Sequence, residues 1–144
     1  MIKQAIIPLA GLGTRLLPLT SVIPKELLPI NGKPNLEYIL EECTEAGVKQ
    51  FIFIISKEKI SIKKYFFNDL FYKKIIKKKK DKRIIEEFRK IKKYQKMIKF
   101  VYQNKPKGTG DAVLRCEKFI KNKFFLMLLP DDLIIKKKLH KRND

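Results

Sequence analysis

The segment from Leu9 to Pro34, LAGLGTRLLPLTSVIPKELLPINGKP, restricts the fold of this chain more than any other. Pro18, Pro24, Pro29 and Pro34 forbid a continuous helix through it, because each removes a backbone donor and crowds the preceding turn. Gly11 and Gly13 open the segment, flanking Leu12. Just upstream, QAIIPL (Gln4–Leu9) is a short apolar run of the kind that forms a buried strand. A strand, a glycine loop and an extended return segment therefore come first.

The rest of the chain alternates in the same sense. NLEYILEECTEAG has apolar residues at Leu36, Ile39, Leu40 and Cys43, the spacing of an amphipathic helix entered from Pro34 and closed by Gly47. QFIFIIS (Gln50–Ser56) is apolar on both faces, as in the middle of a parallel sheet. From Lys57 to Lys96 the pattern is helical and basic, with Ile62, Phe66, Leu70 and Phe71 expected on one side. Ile84, Ile85, Phe88 and Ile91 follow at helical spacing, and KKIIKKKKDK between the two is expected as a solvated turn or a frayed helix end. MIKFVYQ (Met97–Gln103) predicts a third strand, NKPKGTG a loop and DAVLRCEKFI a short helix capped by Asp111. KFFLMLLPDD predicts a fourth strand ending in acids. The expected fold class is α/β: Rossmann-like, a mainly parallel twisted sheet with helices on both faces.

Charge has to be located before it is interpreted. The formal net charge is +19, yet residues 1–56 carry five basic and five acidic side chains. Residues 57–105 carry nineteen against five, so the excess lies away from the opening motif. Of the 34 basic residues only five are arginine, the residue whose planar fork reads bases, so no specific nucleic-acid partner is expected. No apolar run is long enough to span a membrane, and the first residues lack the shape of a signal peptide, so no membrane partner and a cytoplasmic location are expected. Cys43 and Cys116 have neither metal nor disulfide spacing and read as buried, reduced thiols. His140 stands in a basic tail and carries no assigned role.

In an open parallel sheet, ligands sit at the carboxyl ends of the strands. AGLGTR, QNKPKGTG and PDD all fall at such ends. Glycine lets backbone N–H groups approach phosphate oxygens closely. A dinucleotide fingerprint needs a third glycine where Leu16 stands, and a Walker loop needs Gly-Lys-Ser/Thr where the chain has Gly-Thr-Arg. Both fail. The proline-held segment instead returns Lys25 toward the strand ends, so that Arg15 and Lys25 flank a polyphosphate and an acid near Asp131 holds a divalent cation. Phosphoryl or nucleotidyl transfer needs that combination. Asp132 competes with Asp131 for the metal, and Glu26 either orients Lys25 or is solvated.

These residues resemble the signature of the sugar-1-phosphate nucleotidylyltransferases, G-x-G-T-R-x-x-P-x-T…P-K-x-L-x-P…K-P, and most resemble its uridylyl-transferring members. The resemblance continues through VYQNKPKGTGDAV, where Gln103 and Gly108 match the family's uracil-recognising residues, and reaches LPDD, where Asp131 matches its magnesium-binding aspartate. It implies a fold of the nucleotide-diphospho-sugar transferase type and a reaction joining UTP and glucose 1-phosphate, with Mg²⁺ as cofactor. It also implies that Ala10, Gly11, Leu12, Gly13 and Thr14 hold nucleotide and phosphates, with Glu26 beside them, and that Arg15 and Lys25 are catalytic. The family's sugar-binding acid and lysine lie in a later segment, so residues 1–135 correspond to the nucleotide-binding half of a C-terminally truncated member. Any homo-oligomer surface built from the later half would go with it. Residues 136–144 are expected to be a basic tail beyond the part of the chain that carries the resemblance. A nucleotide-binding remnant without turnover, and a member using another nucleotide such as a thymidylyltransferase, are the alternatives.

Overall fold

A computed structural model describes residues 1–131. Asp132 and the basic tail at 136–144 lie outside the described residues. In chain order the elements are β1 (Gln4–Pro8), β2 (Pro29–Ile30), β3 (Lys33–Pro34), α1 (Asn35–Glu45) and β4 (Gln50–Ile55). Then come α2 (Ile60–Phe67), α3 (Asp69–Lys79), α4 (Lys82–Met97), β5 (Ile98–Tyr102), α5 (Gly108–Leu114) and β6 (Leu126–Met127). The main sheet has the order β5-β4-β1-β6, and every pairing in it is parallel.

Strand alternation explains why both faces are covered. Phe51, Phe53 and Ile55 of β4 point to one side, where they join Ala5, Ile7 and Leu9 and pack under α1, α2 and α4. Ile52 and Ile54 point to the other side, with Ile6 and Val101, and meet Ala112 and Cys116 beneath α5. Phe51, Phe53 and Phe66 are wholly buried, each contributing roughly 1.5–3 kcal/mol of transfer free energy. Phe53 lies edge-on to both Phe66 and Phe100, with ring centroids 5.8 Å apart in each case. The expected α/β architecture, with helices on both faces, is what forms.

Four local expectations are corrected. Leu70 and Phe71 do not continue the buried face of Ile62 and Phe66, being 81% and 56% exposed. The helix breaks at Asn68 (φ −96°, ψ 55°), and α3 begins beyond it with no buried residue of its own. The predicted turn in the lysine run narrows to Lys80 and Asp81: α3 runs on to Lys79, and Asp81 caps α4 by accepting from the Arg83 and Ile84 amides. The fourth strand shrinks to two residues, Leu126–Met127, at the sheet edge. The helix after the lysine-glycine loop starts at Gly108, so Asp111 sits within its first turn and does not cap it.

The proline-rich segment also contains an antiparallel pair, β2 with β3, that its prolines obscure. Asn31 and Gly32 make its turn at φ 50° and 79°, the left-handed pair that an Asn-Gly hairpin requires. Its effect is to return the chain to α1. The hairpin and α1 are tied together where the Lys33 ammonium meets Glu41 and the Tyr38 hydroxyl donates to the Ile30 carbonyl at 2.8 Å.

Candidate active site

The carboxyl ends of the parallel strands define the site, because each strand delivers a different chemical group to the same edge. From β1 comes the glycine loop, anchored where the Leu9 amide donates to the Ile54 carbonyl at 2.7 Å. Gly13 adopts φ +67°, and a Cβ there would lie 3.1 Å from Cγ2 of Thr20. Thr20 in turn donates its hydroxyl to the Gly13 carbonyl at 2.7 Å, pinning the loop from below. Gly11 differs: nothing in the protein lies within 4 Å of where its Cβ would be. Its bare backbone instead faces a cavity.

That cavity, of about 230 Å³, is lined by Ala10, Gly11, Lys25, Glu26, Gln103, Gly108 and Asp131, among others. A second one, of about 460 Å³, adjoins it and is lined by Gly13, Thr14, Arg15, Leu16, Lys25 and Asp131. Lys25 and Asp131 belong to both. Leu12 lines neither of these and faces a third recess instead, together with Thr14, Thr20, Val22 and Lys59.

The proline-held segment returns as expected. Lys25 Nζ lies 3.2 Å from Asp131 Oδ2 across 106 residues of sequence. The hydrogen bond from Lys25, with the positive field of Lys25 and Arg15, holds the Asp131 carboxyl below the usual carboxylate range against some burial. Asp131 is thus an anion, 59% exposed, at the shared mouth. Its loop is held from α1, where the Asn35 side-chain amide donates to the Pro130 carbonyl. Arg15, Lys25 and Asp131 therefore do gather around one opening.

Gln103 enters from the end of β5, its backbone N–H donating to the Ile55 carbonyl at 2.9 Å. The residue is 6% exposed. Nε2 donates to the Gly108 carbonyl at 3.2 Å and to Asp111 Oδ2 at 2.8 Å, which leaves Oε1 as the amide's acceptor for a ligand. Asp111 is held below its ordinary range by Arg115 and then by Gln103, and so remains an acceptor for that amide. Gln103 and Gly108 are brought together as expected. Glu26 is not solvated and does not pair with Lys25. It is 1% exposed, and its Oε2 accepts from Lys59 Nζ at 2.9 Å. Its Oε1 is buried with no partner.

Asp111, Asn35, Thr20 and Lys59 escape a reading of the sequence as site residues. Thr20 stands inside the quoted signature, so a signal for it existed. Lys59, in the run KEK, has none. As to a divalent cation, no group of three potential ligands occurs among the described residues. A single ionised, half-exposed carboxylate suits Mg²⁺, which binds through one or two carboxylates and completes its shell with water and substrate phosphates. Asp131 fits that use.

Comparison with known proteins bears on the family and the fold. The family described as "Nucleotidyl transferase" matches residues 4–70 and 61–142. A UTP–glucose-1-phosphate uridylyltransferase from Mycoplasma genitalium is 41% identical over 139 residues, spanning 94% of this chain and 46% of that protein. The enzyme of that name from Bacillus subtilis is 39% identical over 135 residues, spanning 92% and 45%. Among solved structures, a UTP-bound UGPase from Acinetobacter baumannii superposes with a TM-score of 0.87 at 36% identity, covering 96% of this chain and 48% of the other. A UDP-glucose pyrophosphorylase complexed with UDP-glucose gives 0.74 at 35% identity. The chain spans about half the length of the curated relatives it matches.

Proposed function

The chain belongs to the nucleotidyl transferase family, and from that premise we propose that it carries the nucleotide side of a reaction in which UTP and glucose 1-phosphate give UDP-glucose and pyrophosphate. The observation that carries this reading is the meeting of Arg15, Lys25 and Asp131 at the mouth of the cavity that Gly11, Glu26 and Gln103 line. Relatives about 40% identical bear the corresponding name.

Each residue has a distinct task. A uridine nucleotide offers few donors: the base N3–H and the two ribose hydroxyls. Gln103 Oε1 suits the N3–H, and the carboxylate of Glu26 suits a hydroxyl. The amides from Ala10 to Thr14 hold the phosphates. An oxygen of the sugar phosphate attacks the α-phosphorus in line, and the bond from that phosphorus to the bridging oxygen breaks. Pyrophosphate departs with that electron pair while Arg15 neutralises its charge, and Lys25 stabilises the charge on the α-phosphoryl oxygens. Positioning and charge do nearly all the work, as in other phosphoryl transfers. Asp131 would hold Mg²⁺, which when bound supplies further charge neutralisation on the phosphates.

The test is release of pyrophosphate by the purified chain, expected only when UTP, glucose 1-phosphate and Mg²⁺ are all present. Binding of UTP without release would favour the second reading, in which the chain binds the nucleotide without turning it over. A preference for dTTP over UTP in competition would move the chain to a thymidylyl-transferring branch.

A further inference from the structure

Three strand ends supply the groups already described, and the fourth supplies one more. β4 ends at Ile55, and the next turn, Lys57–Lys59, points a lysine back into the protein. Lys59 is 7% exposed, the one lysine in the buried class among the described residues, in a chain otherwise covered with solvated ones. Its amide is fixed to the Ser56 carbonyl at 3.0 Å, and its ammonium to Glu26 Oε2 at 2.9 Å. Burying an ammonium and a carboxylate together is seldom worthwhile for stability alone, since well-packed apolar residues often serve as well. The pair also leaves Glu26 Oε1 without a partner, in a residue that lines the smaller cavity beside Gln103 and Gly108. A buried acceptor left unmatched is costly, and a ligand donor removes that cost.

We propose that Lys59 is a positioning residue for the nucleotide: it occupies one oxygen of Glu26 and fixes the carboxylate so that the other takes a hydrogen bond from the bound nucleoside. Lys59 itself touches no ligand. It lines the recess shared with Leu12 and Thr20 and is absent from the lining of the cavity that Glu26 and Gln103 line. The inference rests on the nucleotide reading above and adds to it a residue from the strand end that the signature does not include.

The test measures UTP affinity by calorimetry and the melting temperature for wild type, Lys59→Met, Lys59→Arg, Glu26→Gln and the double variant Glu26→Gln/Lys59→Met. Lys59→Met is expected to weaken UTP about tenfold, the size of one hydrogen bond to a charged acceptor. It should also shrink the preference for UTP over 2′,3′-dideoxyUTP, whereas Lys59→Arg should restore most of both. In the Glu26→Gln background the further loss of Lys59 should change UTP affinity less than about threefold, because residues acting through one another are not additive. That comparison also decides the matter if Lys59→Met alone does not fold, since the double variant leaves no unpaired buried charge. Wild-type affinity and preference in folded Lys59→Met would overturn the proposal alone, and so would a full tenfold loss in the Glu26→Gln background. Failure of the wild type to bind UTP would overturn the nucleotide reading and this proposal together.

Discussion

Gly11 and Gly13 stand two residues apart and answer to different constraints, which makes them separable by experiment. Gly13 is demanded by the protein: its φ is +67°, and Thr20 closes the space a methyl would need. Gly13→Ala should cost about 1–2 kcal/mol of stability, the price of a left-handed alanine, read as a lower melting temperature. Gly11 has open space around it, so Gly11→Ala should melt like wild type yet bind UTP more weakly, because the methyl enters the cavity. Equal loss of stability in both variants would contradict this division. Lys25→Ala removes the cation shared by both cavities, and about a tenfold loss of UTP affinity is expected, the scale of one charge-assisted hydrogen bond. Unchanged affinity would confine Lys25 to the transition state. Arg15, Lys25, Gln103 and Asp131 were legible in the sequence because their motifs occur in order at strand ends. The partner of Glu26 was not legible, since a lysine in KEK looks like any solvated lysine until the fold turns it inward.

At the scale of elements, apolar periodicity sufficed for β1, α1, β4 and β5, where one or both faces meet the core. It misled at Leu70 and Phe71 because a chain can break between two helices without a glycine or proline to announce it. Beyond the apolar core that α1, α2 and α4 share, a polar link joins them that was not visible as pattern. Glu37 of α1 is buried, and Lys90 of α4 lies 2.5 Å from its Oε2 and 2.9 Å from Glu41 Oε1. The Tyr65 hydroxyl of α2 donates to the other oxygen of Glu37. One carboxylate thus joins α1, α2 and α4. Lys90→Met strands it, and a loss of about 3 kcal/mol in urea unfolding is expected. A loss below ~1 kcal/mol would show that the network is solvated. α3 is attached differently, by stacking of Tyr72 on Phe88 at 5.1 Å and by Asp69, which accepts from Lys92 and Gln95. Those bonds, Lys92 first, hold the Asp69 carboxyl below its ordinary range. The stability it contributes is therefore complete above the unfolded carboxylate pKa near 4 and is lost as pH falls through the lower folded value. Hydrogen exchange in α3 should rise in that acid window before exchange in β1 and β4 does. Simultaneous exchange would mean that α3 does not open separately.

For the whole molecule, the question is whether a net charge of +19 belongs to the chemistry or only surrounds it. Its distribution separates the two. The first 56 residues, which contain the glycine loop, are balanced, and the site itself draws on two cations, Arg15 and Lys25. Lys73, Lys74 and Lys77 to Lys80, by contrast, are all exposed on and just beyond α3, and none of them takes part in an ion pair among the described residues. Such a surface attracts any polyanion by releasing counterions, and that attraction collapses with salt. A protein making six to ten phosphate contacts loses on the order of 10³ or more in affinity between 50 and 200 mM salt. Binding of UTP in a partly enclosed site with two cations should fall only several-fold over the same range, because partly buried charges are screened less. Titrating a labelled DNA duplex and UTP in parallel, at both salt concentrations, separates the contributions. The duplex should bind at low salt without regard to its sequence and release at 200 mM, while UTP remains bound. Sequence-selective binding of DNA that survives 200 mM salt would assign the lysine surface a recognition role. A UTP affinity that fell as steeply as that of the duplex would place the nucleotide on the lysine surface and not at the strand ends.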